Sequence, residues 1–145
     1  MIKFYKDIQW YLALAMGVLF WLAYPSFNRS EVDAQNESLI NVLLFGVLVY
    51  PILEEIVFRG WLQGALLIKG RPYVKSILGI SLANLITSVI FAALHLVYQD
   101  YIWALLIVFP SLVFGYFRDR YQKILPSIII HSFYNCGFIL LIDYY

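Results

Sequence analysis

With 145 residues, the chain has room for one domain at most. It is 63% hydrophobic and only 13% charged, with a net charge of +1. Soluble domains carry about 25% charged residues, so the composition does not fit one, and there is no basic field for nucleic acid to meet. A single cysteine, Cys136, excludes an internal disulfide framework.

Five runs free of Asp, Glu, Lys and Arg follow in chain order. Spanning the bilayer core takes about 20 apolar residues in a helix. The first run, Ile8–Phe27, follows Lys3 and Lys6. It outlasts the apolar core of a signal peptide (about 7–15 residues), and no small-x-small cleavage site follows, so it reads as a retained span. The second, Ser38–Leu53, is long enough only if its helix continues through the glutamates of PILEEIVFRG, residues 51 to 60. The third, Ser76–Gln99, the fourth, Tyr101–Phe117, and the fifth, Ile124–Ile142, complete the set. Strand alternation is absent, which argues against a barrel. The expected fold is all-α: a polytopic membrane helical bundle of about five transmembrane helices with no β-sheet. The expected layout is a single transmembrane domain over 1–145, with spans at about 8–27, 38–58, 76–97, 101–117 and 124–142.

Eight of the ten Lys and Arg fall on one side of this layout: Lys3, Lys6, Lys69, Arg71, Lys75, Arg118, Arg120 and Lys123. By the positive-inside rule that side is cytoplasmic. The N-terminus is then inside, and the C-terminus, with Asp143, outside. Trp10, Trp21, Trp103 and Tyr144 read as aromatic belts at the membrane interfaces. Pro110 is placed to kink the fourth span, and Gly60 with Gly64 reads as a close helix contact.

The ionisable groups left inside the spans are Glu54, Glu55, Arg59, His95 and His131, joined by the polar Asn135. A charged residue at mid-bilayer costs about 2.5–3.5 kcal/mol on insertion scales, so each marks a candidate functional site. Glu55 and Arg59 are four apart and share a helix face, where they can pair. Glu54 lies about 100° round the helix and presents a second carboxylate to another face. Pro51 precedes both and can open the backbone beside them. His131 and Asn135 are four apart on the fifth span, and Phe91 and His95 repeat that spacing on the third. A lone membrane histidine is well explained by a helix–helix hydrogen bond. Two histidines, an asparagine and a glutamate on three helices supply what is needed to activate water and stabilise an oxyanion. Cys136 is off the His131 face and reads as a buried small residue rather than a nucleophile.

These residues resemble a known family. EEIVFR at 54–59 matches EExxxR, FAALH at 91–95 matches FxxxH, and HSFYN at 131–135 matches HxxxN, in that order and each on its own apolar run. The pattern is similar to the CAAX-protease and bacteriocin-processing family of glutamate-type intramembrane endopeptidases, the Abi group, over residues from about 39 to 142. The resemblance implies Glu54 as general base on water, His95 holding that water, and His131 with Asn135 stabilising the oxyanion. Glu55 and Arg59 then give structural support, and no cofactor is required. It also implies a peptide or protein substrate, membrane-anchored, in a bacterial cytoplasmic membrane; the small bacterial members are implied to act on leader peptides or C-terminal sorting tails.

Two other readings stay open. Glu54, His95 and His131 could hold zinc in a metalloprotease, although no HExxH is present. A non-enzymatic transport or immunity protein could use the same groups as a proton relay.

The charge distribution generates a topology prediction. Cysteine labelling or reporter fusions after residues 33, 72, 100 and 121 should read out, in, out, in. An inside location for residue 100 would mean that the third and fourth runs do not both cross.

Overall fold

The computed structural model describes residues 3–23, 38–69 and 79–143. Among the described residues every regular element is helical and none is a strand. After a 3-10 turn at Phe4–Lys6, helix α1 runs Ile8–Ala23. Helix α2 occupies residues 39–69 without a break. Helix α3 is Leu82–His95, α4 is Tyr101–Tyr121, and α5 is Leu125–Phe138, which passes into a π-wound turn at Ile139–Asp143. Among the described residues two stretches are long and apolar enough to cross a membrane: Leu39–Leu67 within α2, and α4.

The helix ends differ from those expected, for local reasons. The continuation of α1 to residue 27 and the start of the third span at 76–78 lie outside the described residues. α3 begins only at Leu82, because Gly79 has a positive φ of 83° and Ser81 is its N-cap, accepting from the Asn84 amide at 3.0 Å. At 14 residues it is about 21 Å long. α2 runs on past residue 58, since Arg59 and Gln63 beyond it are both fully buried and bonded to α4. α4 outlasts residue 117 for the matching reason: Arg118 Nε donates to the Arg59 carbonyl at 3.0 Å, and Asp119 is buried.

α2 alternates its winding. It is α-helical at Leu39–Leu43, Tyr50–Glu55 and Gln63–Lys69, and π-wound at Leu44–Val49 and Ile56–Leu62. A proline ring clashes with the carbonyl four residues back, and the wider π turn before Pro51 relieves that clash. α4 carries Pro110 within a continuous 21-residue helix.

The chain divides into two compact units, Met1–Ile52 with Ile129–Tyr145, and Leu53–Ile128. The first is built on aromatic side chains. Trp10, Ala13, Gly17 and Trp21 form the buried face of α1. Trp10 and Trp21 therefore belong to the core rather than to the interface belt that the sequence suggests. Trp21 packs on Phe133 with ring centroids 4.9 Å apart, and Tyr134 donates its hydroxyl to the Ala13 carbonyl at 2.7 Å. Gly137 lets the Trp21 ring lie on the α5 backbone, where any Cβ would overlap it. The opposite side of α1, with Leu12, Met16, Leu19 and Leu22, is exposed. Apolar area of this extent is a liability in water and is ordinary against lipid.

The second unit is built on polar side chains. Asn84, Thr87, Ser88, Ser111 and Ser127 are all fully buried, and Ser127 Oγ donates to the Phe114 carbonyl at 2.7 Å. The close helix contact falls at Gly115, where a Cβ would overlap the Asn84 side chain. Of the Gly60 and Gly64 pair, Gly64 is buried, with the Arg118 side chain of α4 against it, whereas Gly60 is exposed.

Filling the contact beneath Trp21 should therefore be costly. Gly137→Ala should lower stability by about 1–3 kcal/mol, the usual range for overpacking. Trp21→Leu in the same chain should return part of that loss. Thermal unfolding in detergent checks this; equal melting temperatures for Gly137→Ala and the unsubstituted protein would contradict the packing described.

Candidate active site

The second unit encloses a guanidinium. Arg59 is 0% exposed. Its Nη1 lies 3.3 Å from Glu55 Oε1, one helical turn earlier, and Glu55 is also 0% exposed. Its Nη2 donates to α4 twice, to the Ser111 carbonyl at 2.9 Å and to Ser111 Oγ at 2.6 Å. The guanidinium carbon lies over two aromatic rings, 4.7 Å from the centroid of Phe91 of α3 and 5.4 Å from that of Phe114 of α4. A buried charge is tolerable only when paired and hydrogen-bonded, and here carboxylate, hydroxyl, carbonyl and two π faces share that task.

One turn along α2, Gln63 continues the polar seam. Its Nε2 donates to the Gly115 carbonyl at 3.0 Å and to Asp119 Oδ1 at 2.8 Å. The other oxygen of Asp119 accepts from Ser81 Oγ at 2.5 Å. Asn84 Nδ2 donates to the Leu112 carbonyl at 2.9 Å, and Ser88 Oγ to Asn84 Oδ1 at 3.1 Å. This seam is not legible in the sequence. Gln, Asn and Ser do not stand out against an apolar run, and Asp119 sits between Arg118 and Arg120, which read as loop.

Phe91 connects the guanidinium to His95. Besides meeting Arg59, its ring takes Phe58 edge-on at 4.9 Å and the His95 ring at 4.6 Å. Its carbonyl lies 2.9 Å from His95 Nδ1. A carbonyl only accepts, so Nδ1 must carry the hydrogen and donate it. In the neutral ring this leaves Nε2 as the basic nitrogen. Glu54, next to the fully buried Glu55, is only half-buried.

The other two residues lie in the first unit. His131 is buried and Asn135 half-buried, and Asn135 Nδ2 donates to the Gly46 carbonyl of α2 at 2.9 Å. The structure thus groups Glu54, Glu55, Arg59 and His95 in one unit and His131 with Asn135 in the other. Among the described residues no group of three or more His, Cys, Asp or Glu is placed to hold a metal ion.

A chain whose described elements are all helical, with apolar exterior faces and an ion pair inside its helices, is of the integral membrane class. Comparison with known proteins makes the assignment specific: residues 36–137 match the family model for the Rce1-like type II CAAX prenyl endopeptidases, and the chain belongs to that family. The family is one of proteases, so the chain is a hydrolase that acts on a peptide or protein. No curated protein and no solved structure matches it.

The pairing around Arg59 generates a stability prediction. Glu55→Gln leaves a buried guanidinium uncompensated and should destabilise by about 3–5 kcal/mol, the usual cost of breaking a buried pair from one side. Replacing both partners, Glu55→Gln with Arg59→Met, should recover most of that loss. Thermal unfolding of the two variants checks it, and a wild-type melting temperature for Glu55→Gln alone would contradict it.

Proposed function

We propose that this protein is a glutamate-type intramembrane endopeptidase that cuts a peptide bond in a membrane-anchored peptide or protein tail. The observation that carries the reading is the unequal treatment of two adjacent glutamates. Glu55 has no accessible surface and is held by Arg59, so water cannot reach it. Glu54 keeps access and lies on another face of the helix. A general base must meet the water it deprotonates.

In the proposed reaction Glu54 takes a proton from water, and the resulting hydroxide attacks the scissile carbonyl carbon. His95 holds that water through Nε2, the nitrogen left basic by the Nδ1 bond to Phe91. Charge develops on the carbonyl oxygen, where His131 and Asn135 stabilise it. Collapse of the intermediate breaks the C–N bond, and Glu54 returns its proton to the leaving amine. No side-chain nucleophile and no metal takes part. The proposed setting is one five-span membrane domain with its N-terminus cytoplasmic, in a bacterial cytoplasmic membrane.

Glu54→Gln tests the assignment, because an amide cannot take the proton. General-base removal should lower the turnover rate by about a hundredfold or more, with helical content and melting temperature near those of the unsubstituted protein. Metal analysis of the active, unsubstituted protein should find no stoichiometric zinc. A fully active Glu54→Gln protein would end the assignment, and stoichiometric zinc lost on His131→Ala would replace it with the metalloprotease reading.

A further inference from the structure

α2 changes its winding just before the glutamates. Through Leu44–Val49 the backbone is π-wound, and the Tyr50 amide donates to the Phe45 carbonyl, five residues back. In that register the next amide, that of residue 51, would donate to the Gly46 carbonyl. Residue 51 is proline, which has no N–H. The α-register donor for Gly46 would be Tyr50, whose N–H is already committed to Phe45. The Gly46 carbonyl is thus denied both helical donors. Inside a membrane no water replaces them, and another protein group has to. That group is Asn135 Nδ2, at 2.9 Å.

Gly46 also allows the approach. A Cβ at this position would stand 2.7 Å from Ile139 Cδ1, the end of a side chain just beyond α5, so glycine leaves room there without any shift of that side chain. Pro51 itself is fully buried.

We propose that Pro51 is a positioning residue for Asn135, acting through the carbonyl that it leaves without a donor on Gly46. An asparagine amide has two N–H groups in one plane. Anchoring the first to Gly46 fixes the direction of the second. Resting on the oxyanion reading above, that second N–H is the one that meets the developing charge. Pro51 touches no reacting atom; it sets the orientation of a group that does.

The test is a two-residue cycle in the full chain: Pro51→Ala, Asn135→Ala and both together. With Pro51 in place, Asn135→Ala strands the Gly46 carbonyl and should lower the melting temperature. In the Pro51→Ala background the restored N–H serves that carbonyl, and Asn135→Ala should lower the melting temperature much less. Equal losses in both backgrounds would overturn the proposal. On peptide cleavage, Pro51→Ala should lower kcat by about tenfold or more, within the loss of about a hundred- to a thousandfold expected for removing an oxyanion donor outright. KM should change little, and the double variant should be no slower than Asn135→Ala alone. An unchanged kcat in Pro51→Ala, with Asn135→Ala inactive, would also overturn it. A fully active Asn135→Ala would instead remove the oxyanion reading, leaving the melting-temperature cycle to decide the Pro51 coupling by itself. If Pro51→Ala does not fold, the unsubstituted protein carrying 15N-labelled asparagine side chains gives the answer. One Asn135 Nδ2 proton, identified by its loss in Asn135→Ala, should exchange slowly with solvent; fast exchange of both would contradict the anchor.

Discussion

A guanidinium with no exposure to solvent or lipid is the constraint around which residues 53–128 are arranged. Removing Arg59 from water carries a desolvation cost of several kcal/mol, which the ion pair to Glu55, the two Nη2 hydrogen bonds and the neighbouring rings offset. That requirement reaches into three helices. It ties Glu55 to the same face of α2, Ser111 to the facing turn of α4, and the rings of Phe91 and Phe114 to positions beneath the charge. It also accounts for the continuation of α2 beyond its expected end, since the segment carrying Arg59 and Gln63 is bonded to α4 by both side chains.

The same arrangement separates the two glutamates. Once Glu55 is committed to Arg59, the neighbouring carboxylate of Glu54 is carried about 100° away by helix geometry, and it keeps access that Glu55 lacks. Phe91 then relates this pair to His95, because one residue meets the guanidinium with its ring and the histidine with its carbonyl. The motifs around residues 54–59 and 91–95 are therefore linked physically through one phenylalanine. The membership in a protease family gives this arrangement a reaction to serve, and the proposed role of Glu54 follows from what Arg59 does to its neighbour.

Some of this was legible in the sequence, and the reasons are specific. Glu54, Glu55, Arg59, His95, His131 and Asn135 stood out because ionisable or strongly polar groups are costly inside apolar runs. The all-α class followed from the length of those runs. The buried seam of Gln63, Ser81, Asn84 and Asp119 was not legible, because none of its members is expensive alone and the partners of Gln63 lie more than fifty positions away in the chain. The π windings of α2 leave no periodic signature in seven residues or fewer. Trp10 and Trp21 read as belt residues in the sequence because an amphipathic ring near the end of a span looks the same whether it meets headgroups or a neighbouring helix. For Trp21, the glycine opposite, Gly137, tells the two apart, and it does so only once the helices are placed.

In the proposed mechanism, water activated by Glu54 attacks the peptide directly. The most direct test of that step is the mass of the protein itself during turnover. A slow peptide substrate is mixed with excess enzyme in 18O-labelled water, and the reaction is quenched before completion. With direct attack by water, the enzyme keeps its mass throughout, and the product carries one 18O in its new C-terminal carboxyl. An enzyme population heavier by the acyl fragment, on Cys136 or any other side chain, would contradict direct attack.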